Sequence, residues 1–180
     1  MATVTIELPP QAEQTEFNLR RWNELLKDPE LAKIEGRIET DRFGHIIMYP
    51  PPAPSHGSFQ ATIAHLLMTL KTEGQTLTEC PISTADGVKA ADVAWASRQS
   101  MRTLGKRACF PRSPEIWVEV VSPSNTPGEI SEKMALYFDA GAKEVWVCDT
   151  LGSIQFFGPG SIKLGKSKLC AKFPARIRLR

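Results

Sequence analysis

The 180-residue sequence is short of the patterns that fix a chemistry on sight. Its four cysteines, Cys80, Cys109, Cys148 and Cys170, are widely spaced, with no Cys-x-x-Cys pair and no histidine at zinc-site spacing. That pattern speaks against a structural zinc and leaves reduced thiols, in the core or at the surface. No Gly-x-Ser-x-Gly elbow surrounds Ser122 or Ser124, which disfavours a serine hydrolase. Met1 to Pro10 has neither a basic leader nor a long apolar run, so a cytoplasmic protein without a secretory signal or membrane anchor is expected. There is no internal repeat. A net charge of +2 is too small to mark a nucleic-acid binder by itself.

What is present is ordinary globular material, 42% hydrophobic and 23% charged, and predicts a single domain over 1–180. Residues 1–14 read as an extended lead-in. Phe17, Trp22, Leu25 and Leu26 predict a short packing helix over Thr15 to Lys27. Ala32 to Thr40 and His45 to Tyr49, joined through Gly44, read as a hairpin. Taken locally, Glu39 is a solvated strand-end acid. After the proline-rich 50–54, Phe59, Ile63, Leu66, Leu67 and Leu70 predict a core-facing helix from His56 or Ser58 to Lys71. His56, at its first turn, reads as a capping or positioning residue. Strands follow over Thr76 to Cys80 and Lys89 to Trp95, with a turn near Asp86-Gly87. The basic stretch 97–112 reads as a connecting loop, or as a lid that contacts substrate. The final segment, 159–180, reads as basic strands or a tail. Lys163, Lys166, Lys168, Lys172, Arg176, Arg178 and Arg180 occupy it without an acid, which suits phosphate contacts or outward lysines that blunt a sheet edge.

Two apolar strands carry an internal carboxylate. In Ile116 to Val121 alternation places Glu115, Trp117, Glu119 and Val121 on one face. In Lys89 to Trp95 it places Asp92 with Ala94, and Ala91, Val93 and Trp95 opposite. A buried acid is costly unless paired or bound to a cation, and alone Glu119 would read as an edge-strand residue. Downstream, Thr126-Pro127-Gly128-Glu129 is a capping box with Pro at the first helical position, and the helix runs to about Ala140 before Gly141. Helical side chains lean toward the N-terminus, which aims Lys133 back toward the Glu119 strand. Strand, helix and strand in succession predict a βαβ crossover and a partly parallel sheet.

If Asp92 and Glu119 lie side by side on neighbouring strands, one must be protonated or a cation must neutralise the pair. Oxygen donors without a His or Cys cluster favour Mg²⁺ or Mn²⁺, which suits phosphodiester hydrolysis, with Lys133 placed to stabilise developing charge.

Glu39 before the Gly44 turn, the proline-rich link to His56, Ala91-Asp92-Val93, the run Glu119-Val120-Val121-Ser122-Pro123-Ser124, and Lys133 with Tyr137, Gly141, Trp146 and Asp149 form an ordered set. This set resembles the Uma-two family of proposed restriction endonucleases, in the PD-(D/E)XK phosphodiesterase superfamily, from about Glu16 to Phe157. The resemblance implies an α/β, restriction-endonuclease-like fold: a central mixed sheet flanked by helices, with additional β-hairpins. It implies that Asp92, Glu119 and the Val120 carbonyl hold Mg²⁺ or Mn²⁺, that Glu39 is a supporting acid, and that DNA is the substrate. Since one active site cuts one strand at a time, a homodimer is expected. The sequence departs from the family pattern at Ala91, where Pro is usual, at Gly44-His45, where Gly-Glu is common, and at Val121, where the superfamily lysine is expected. Lys133 is the candidate for a migrated lysine, with Lys89 in second place. The alternative expectation is an inactive nucleic-acid-binding or regulatory module that uses the basic tail.

Overall fold

The longest β pairing in the molecule is an antiparallel ladder between two eleven-residue strands, and the candidate acids are arranged around it. The computed structural model describes residues 10–33, 36–123 and 125–179. Along the chain the elements are α1 (Gln11–Leu25), β1 (Arg37–Thr40), β2 (Ile46–Tyr49), α2 (Pro54–Leu70), β3 (Gly74–Thr84), β4 (Gly87–Ser97), α3 (Arg98–Leu104), β5 (Ile116–Val120), α4 (Pro127–Asp139), β6 (Glu144–Cys148), β7 (Ile154–Gly158) and β8 (Ile162–Leu164). Strands β3 to β8 form one sheet in sequence order, and β1 with β2 forms a separate hairpin. Only the β5–β6 pair is parallel among the described strands, because α4 crosses over between them. The fold is therefore the mixed α/β sheet with extra hairpins that the motifs implied.

The sheet is covered on both faces. On one side α2 lays Phe59, Ile63 and Leu67 against Val93, Trp95, Ile116, Val118, Trp146 and Cys148. On the other, α4 sets Met134 and Tyr137 against Trp117, Val145 and Phe110. The capping box forms as read: Thr126 Oγ1 accepts from Glu129 N–H at 3.2 Å, and Glu129 Oε2 accepts from Thr126 N–H at 2.8 Å. Gly141 ends the helix at φ +107°, where an L side chain would be strained. With β5 flanked by β4 and β6, Glu119 lies on a central strand and not on an edge. The four cysteines are all free and buried, and burial pushes the Cys80 and Cys148 thiols up to about 12.

Several expectations change. The lead-in is helical from Gln11, because the inner stripe of α1 begins with polar residues that an apolar-periodicity reading passes over. Gln14 donates to Asn18 Oδ1 and the Arg42 carbonyl, and Asn18 donates to Ser83 Oγ and the Thr84 carbonyl, all within 2.8–2.9 Å. Residues 1–9 of that lead-in lie outside the described residues. The strand expected from Ala32 begins at Arg37: Leu31–Lys33 is a 3₁₀ turn, and Ile34 and Glu35 lie outside the described residues. Gly36 at φ +126° makes the break, since a Cβ there would meet the Tyr49 carbonyl oxygen.

The 97–112 stretch is not wholly irregular. Ser97 caps α3, and Glu115 holds the cap by accepting from both Ser97 Oγ at 2.6 Å and Ser100 Oγ at 2.9 Å. A seven-residue helix with only Met101 and Leu104 as apolar positions is too short for its periodicity to be read. The last segment contributes a single three-residue strand, after which Cys170, Phe173 and Ile177 pack into the α2-side core while Lys and Arg side chains stay exposed. Strict alternation also fails in β4. Ala91 packs with Ala94 and Ala96 and not with Val93 and Trp95, and opposite this point Glu79 takes φ +49°.

Candidate active site

Antiparallel pairing of Val93 with Val118 places Asp92 and Glu119 one step further along their strands, both buried. The Val120 N–H donates to Asp92 Oδ2 at 2.7 Å, which ties the acid of β4 to the end of β5. His56, on the first turn of α2, approaches the same oxygen at 3.3 Å, and Arg37 NH1 reaches Asp92 Oδ1 at 2.7 Å. Burial alone would raise the Asp92 carboxyl. The His56 hydrogen bond, the Arg37 charge and the Val120 N–H outweigh it and hold the acid below its usual range.

Glu119 is treated differently. Trp117 Nε1 and the Tyr137 hydroxyl donate to its Oε1 at 2.9 and 2.6 Å, while Lys133 Nζ lies 3.4 Å from Oε2. Burial raises this carboxyl and the Asp92 charge adds to the rise, with Lys133 opposing. Environments that push two neighbouring acids apart are characteristic of working sites. Lys133 itself is raised: burial lowers it, but Glu119 and Glu39 together hold its ammonium charged.

Glu39 belongs to the same cluster. It is fully buried, not solvated, because β1 packs across β4: its Oε1 accepts from Ala90 N–H at 3.2 Å and lies 3.7 Å from Lys133, and its Oε2 accepts from Tyr49 at 3.2 Å. Tyr49 also places its ring 5.1 Å from the Arg37 guanidinium and 5.8 Å from the Lys133 ammonium. Three buried carboxylates thus gather around two cations, drawn from β1, β4, β5 and α4.

The chain belongs to the Uma2 family. The family, described as "Putative restriction endonuclease", matches residues 22–160. The same fold occurs in a crystal structure from Anabaena variabilis of "a putative nuclease belonging to DUF820", with a TM-score of 0.69 and 15% identity over 86% of this chain and 93% of that one. No curated protein matches.

Within this Uma2 chain the structure gathers Glu39, Asp92, Glu119 and Lys133, and leaves Lys89 apart. Lys89 Nζ is spent on the Thr40 carbonyl at 3.0 Å and on Asp86 at 3.1 Å. Among the described residues no three His, Cys, Asp or Glu side chains form a cation cage. The Asp92 and Glu119 carboxylates offer oxygen donors alone, a chemistry that fits a hard cation such as Mg²⁺ or Mn²⁺. Sequence reading passed over Arg37 and Tyr49. A signal existed, since alternation puts Arg37 on the face of Glu39, and hairpin register pairs Arg37 with Tyr49.

Proposed function

We propose that this protein is a Mg²⁺- or Mn²⁺-dependent endonuclease that hydrolyses phosphodiester bonds of DNA. The observation that carries the reading is the side-by-side placement of buried Asp92 and Glu119 on β4 and β5, with Lys133 3.4 Å from the second. Asp92, Glu119 and the Val120 carbonyl would hold the cation. A divalent cation bound there supplies charge neutralisation at the phosphodiester and activation of water. The chain's own groups do the rest. Lys133 stays protonated and therefore acts as a fixed positive charge facing the developing negative charge, not as a general base. Tyr137 and Trp117 orient Glu119; His56 and the Val120 N–H orient Asp92. Glu39 keeps Lys133 in place. Pairing of two copies would let the enzyme cut both strands, and a cytoplasmic setting agrees with four free thiols. No described helix is long and apolar enough to cross a membrane.

The test is conversion of supercoiled plasmid to nicked or linear DNA with Mg²⁺ by wild type, Asp92→Ala and Glu119→Ala. Cleavage by wild type alone is expected; equal activity in all three removes the assignment.

A second reading, a nucleic-acid-binding or regulatory module without chemistry, is favoured by one feature. Exposed Arg176 and Arg178 line an open groove of about 480 Å³ with Phe59 and Leu151. That reading predicts salt-sensitive DNA binding that survives loss of both carboxylates and needs no divalent metal.

A further inference from the structure

Arg37 sits on one of the two acids proposed to hold the cation. Its NH1 lies 2.7 Å from Asp92 Oδ1 and its NH2 3.8 Å from Glu39 Oε1. A guanidinium there does for Asp92 what a divalent cation would do, neutralising a buried carboxylate that is costly alone. Guanidinium and divalent cation repel one another at such range, so close approach of one disfavours the other.

Arg37 also has somewhere to go. The same NH1 lies 3.7 Å from Glu79 Oε2, and the Glu79 side chain is 46% exposed. Glu79 is a fixed acceptor: its Oε1 takes a 2.8 Å hydrogen bond from Gln60, whose amide also reaches the Asp92 carbonyl at 3.0 Å. The positive φ of Glu79 lies on β3 between the Thr78–Val93 and Cys80–Ala91 pairs, next to Asp92. Asp92, which is buried, and Glu79, which reaches water, therefore share one guanidinium nitrogen, while Glu39 faces the other.

We propose that Arg37 is a built-in counter-cation with two stations, Asp92 and Glu79, and that it yields Asp92 to a divalent cation by moving onto Glu79. The inference rests on the metal-dependent reading above. It makes Arg37 a positioning residue that sets apparent metal affinity through the fraction of molecules in which Asp92 is released. If Asp92 is released in about a tenth of molecules, deleting the guanidinium tightens binding about tenfold.

The experiment is Mn²⁺ binding to the full chain without nucleic acid, by isothermal titration calorimetry, for wild type, Arg37→Met, Glu79→Gln, the double variant and Asp92→Ala, with folding checked by circular dichroism. Arg37→Met should bind about tenfold tighter than wild type. Glu79→Gln should bind more weakly, because Arg37 loses its outer station. Added to Arg37→Met, the Glu79 change should shift affinity by less than about twofold, whereas a through-space charge effect of Glu79 would persist there. Unchanged or weaker binding by Arg37→Met overturns the proposal. Glu79→Gln keeps the buried pair intact, so wild-type or tighter binding by that variant overturns it even where Arg37→Met does not fold. If wild type binds and Asp92→Ala does not while Arg37→Met equals wild type, only the two-station role fails. If neither wild type nor Arg37→Met binds Mn²⁺, the metal-dependent reading fails with it.

Discussion

Strands β5 and β6 each bury one glutamate, and the fold treats the two acids in opposite ways. Glu119 and Glu144 are 4% and 2% exposed. Each accepts from a tryptophan two residues away, Trp117 at 2.9 Å and Trp146 at 2.8 Å. The other partners of Glu144 are neutral: the Ser167 hydroxyl at 2.7 Å and the N–H groups of Lys168 and Leu169 at 2.7 and 2.9 Å. They fasten the segment after β8 to the start of β6, and the acid is spent. Glu119 instead meets Lys133 and shares its surroundings with Asp92 and Arg37: burial raises its carboxyl against the pull of Lys133 and Arg37, the Asp92 charge adds to the rise, and its neighbours are charged. Burial of a carboxylate therefore does not mark chemistry by itself. Convergence of several charges from separate elements is what the proposed site rests on.

The contrast can be broken from either side. The largest expected effect is on the charged side, where Lys133→Ala should slow plasmid cleavage about 10²–10³-fold, as loss of a preorganised stabilising charge does, with the fold retained. On the neutral side, Glu144→Ala should leave cleavage per folded molecule unchanged. It strands an indole N–H, a hydroxyl and two backbone N–H groups, so denaturant unfolding should show a loss of about 3 kcal/mol. A slower but equally stable Glu144→Ala enzyme would reverse the assignment.

A smaller effect separates the two regions by pH. His56 is raised first by its hydrogen bond to Asp92, with burial opposing and the Asp92 charge adding. A group raised above its unfolded value of about 6.5 contributes stability that is fully present below about pH 6.5 and lost as pH rises through its folded value. The melting-temperature gap between wild type and His56→Gln should thus narrow as pH rises above about 6.5, whereas the gap for Glu144→Ala, which involves no histidine, should not track it. A constant His56 gap contradicts the pairing. The smallest effect is local: Thr126→Ala should cost about 1 kcal/mol through the lost cap of α4, read by urea unfolding.

The sequence made α4 legible because capping chemistry is local, and it made β5 and β6 legible because Ile116 to Val118 and Val145 to Cys148 are apolar runs. Asp92 and Glu119 could be paired as candidates from alternation and motif order. The burial of Glu39 could not, because it depends on β1 packing across β4, a contact between residues about fifty positions apart. The contact of Arg37 with Asp92 depends on the same long-range packing, although the local hairpin register alone pairs Arg37 with Tyr49. Gln14 and Asn18 were missed in α1 because their burial is polar, and a hydrophobic stripe is the wrong signal for it. Glu144 was passed over inside a strand read only as apolar.

The most direct measurement sets the two glutamates side by side: plasmid cleavage with Mg²⁺ and thermal melting of Glu119→Gln and Glu144→Gln. Glu119→Gln should stay folded and lose cleavage, while Glu144→Gln should cleave like wild type and melt at a lower temperature. Equal cleavage by the two variants, or loss confined to Glu144→Gln, would contradict the placement of the active site at Glu119.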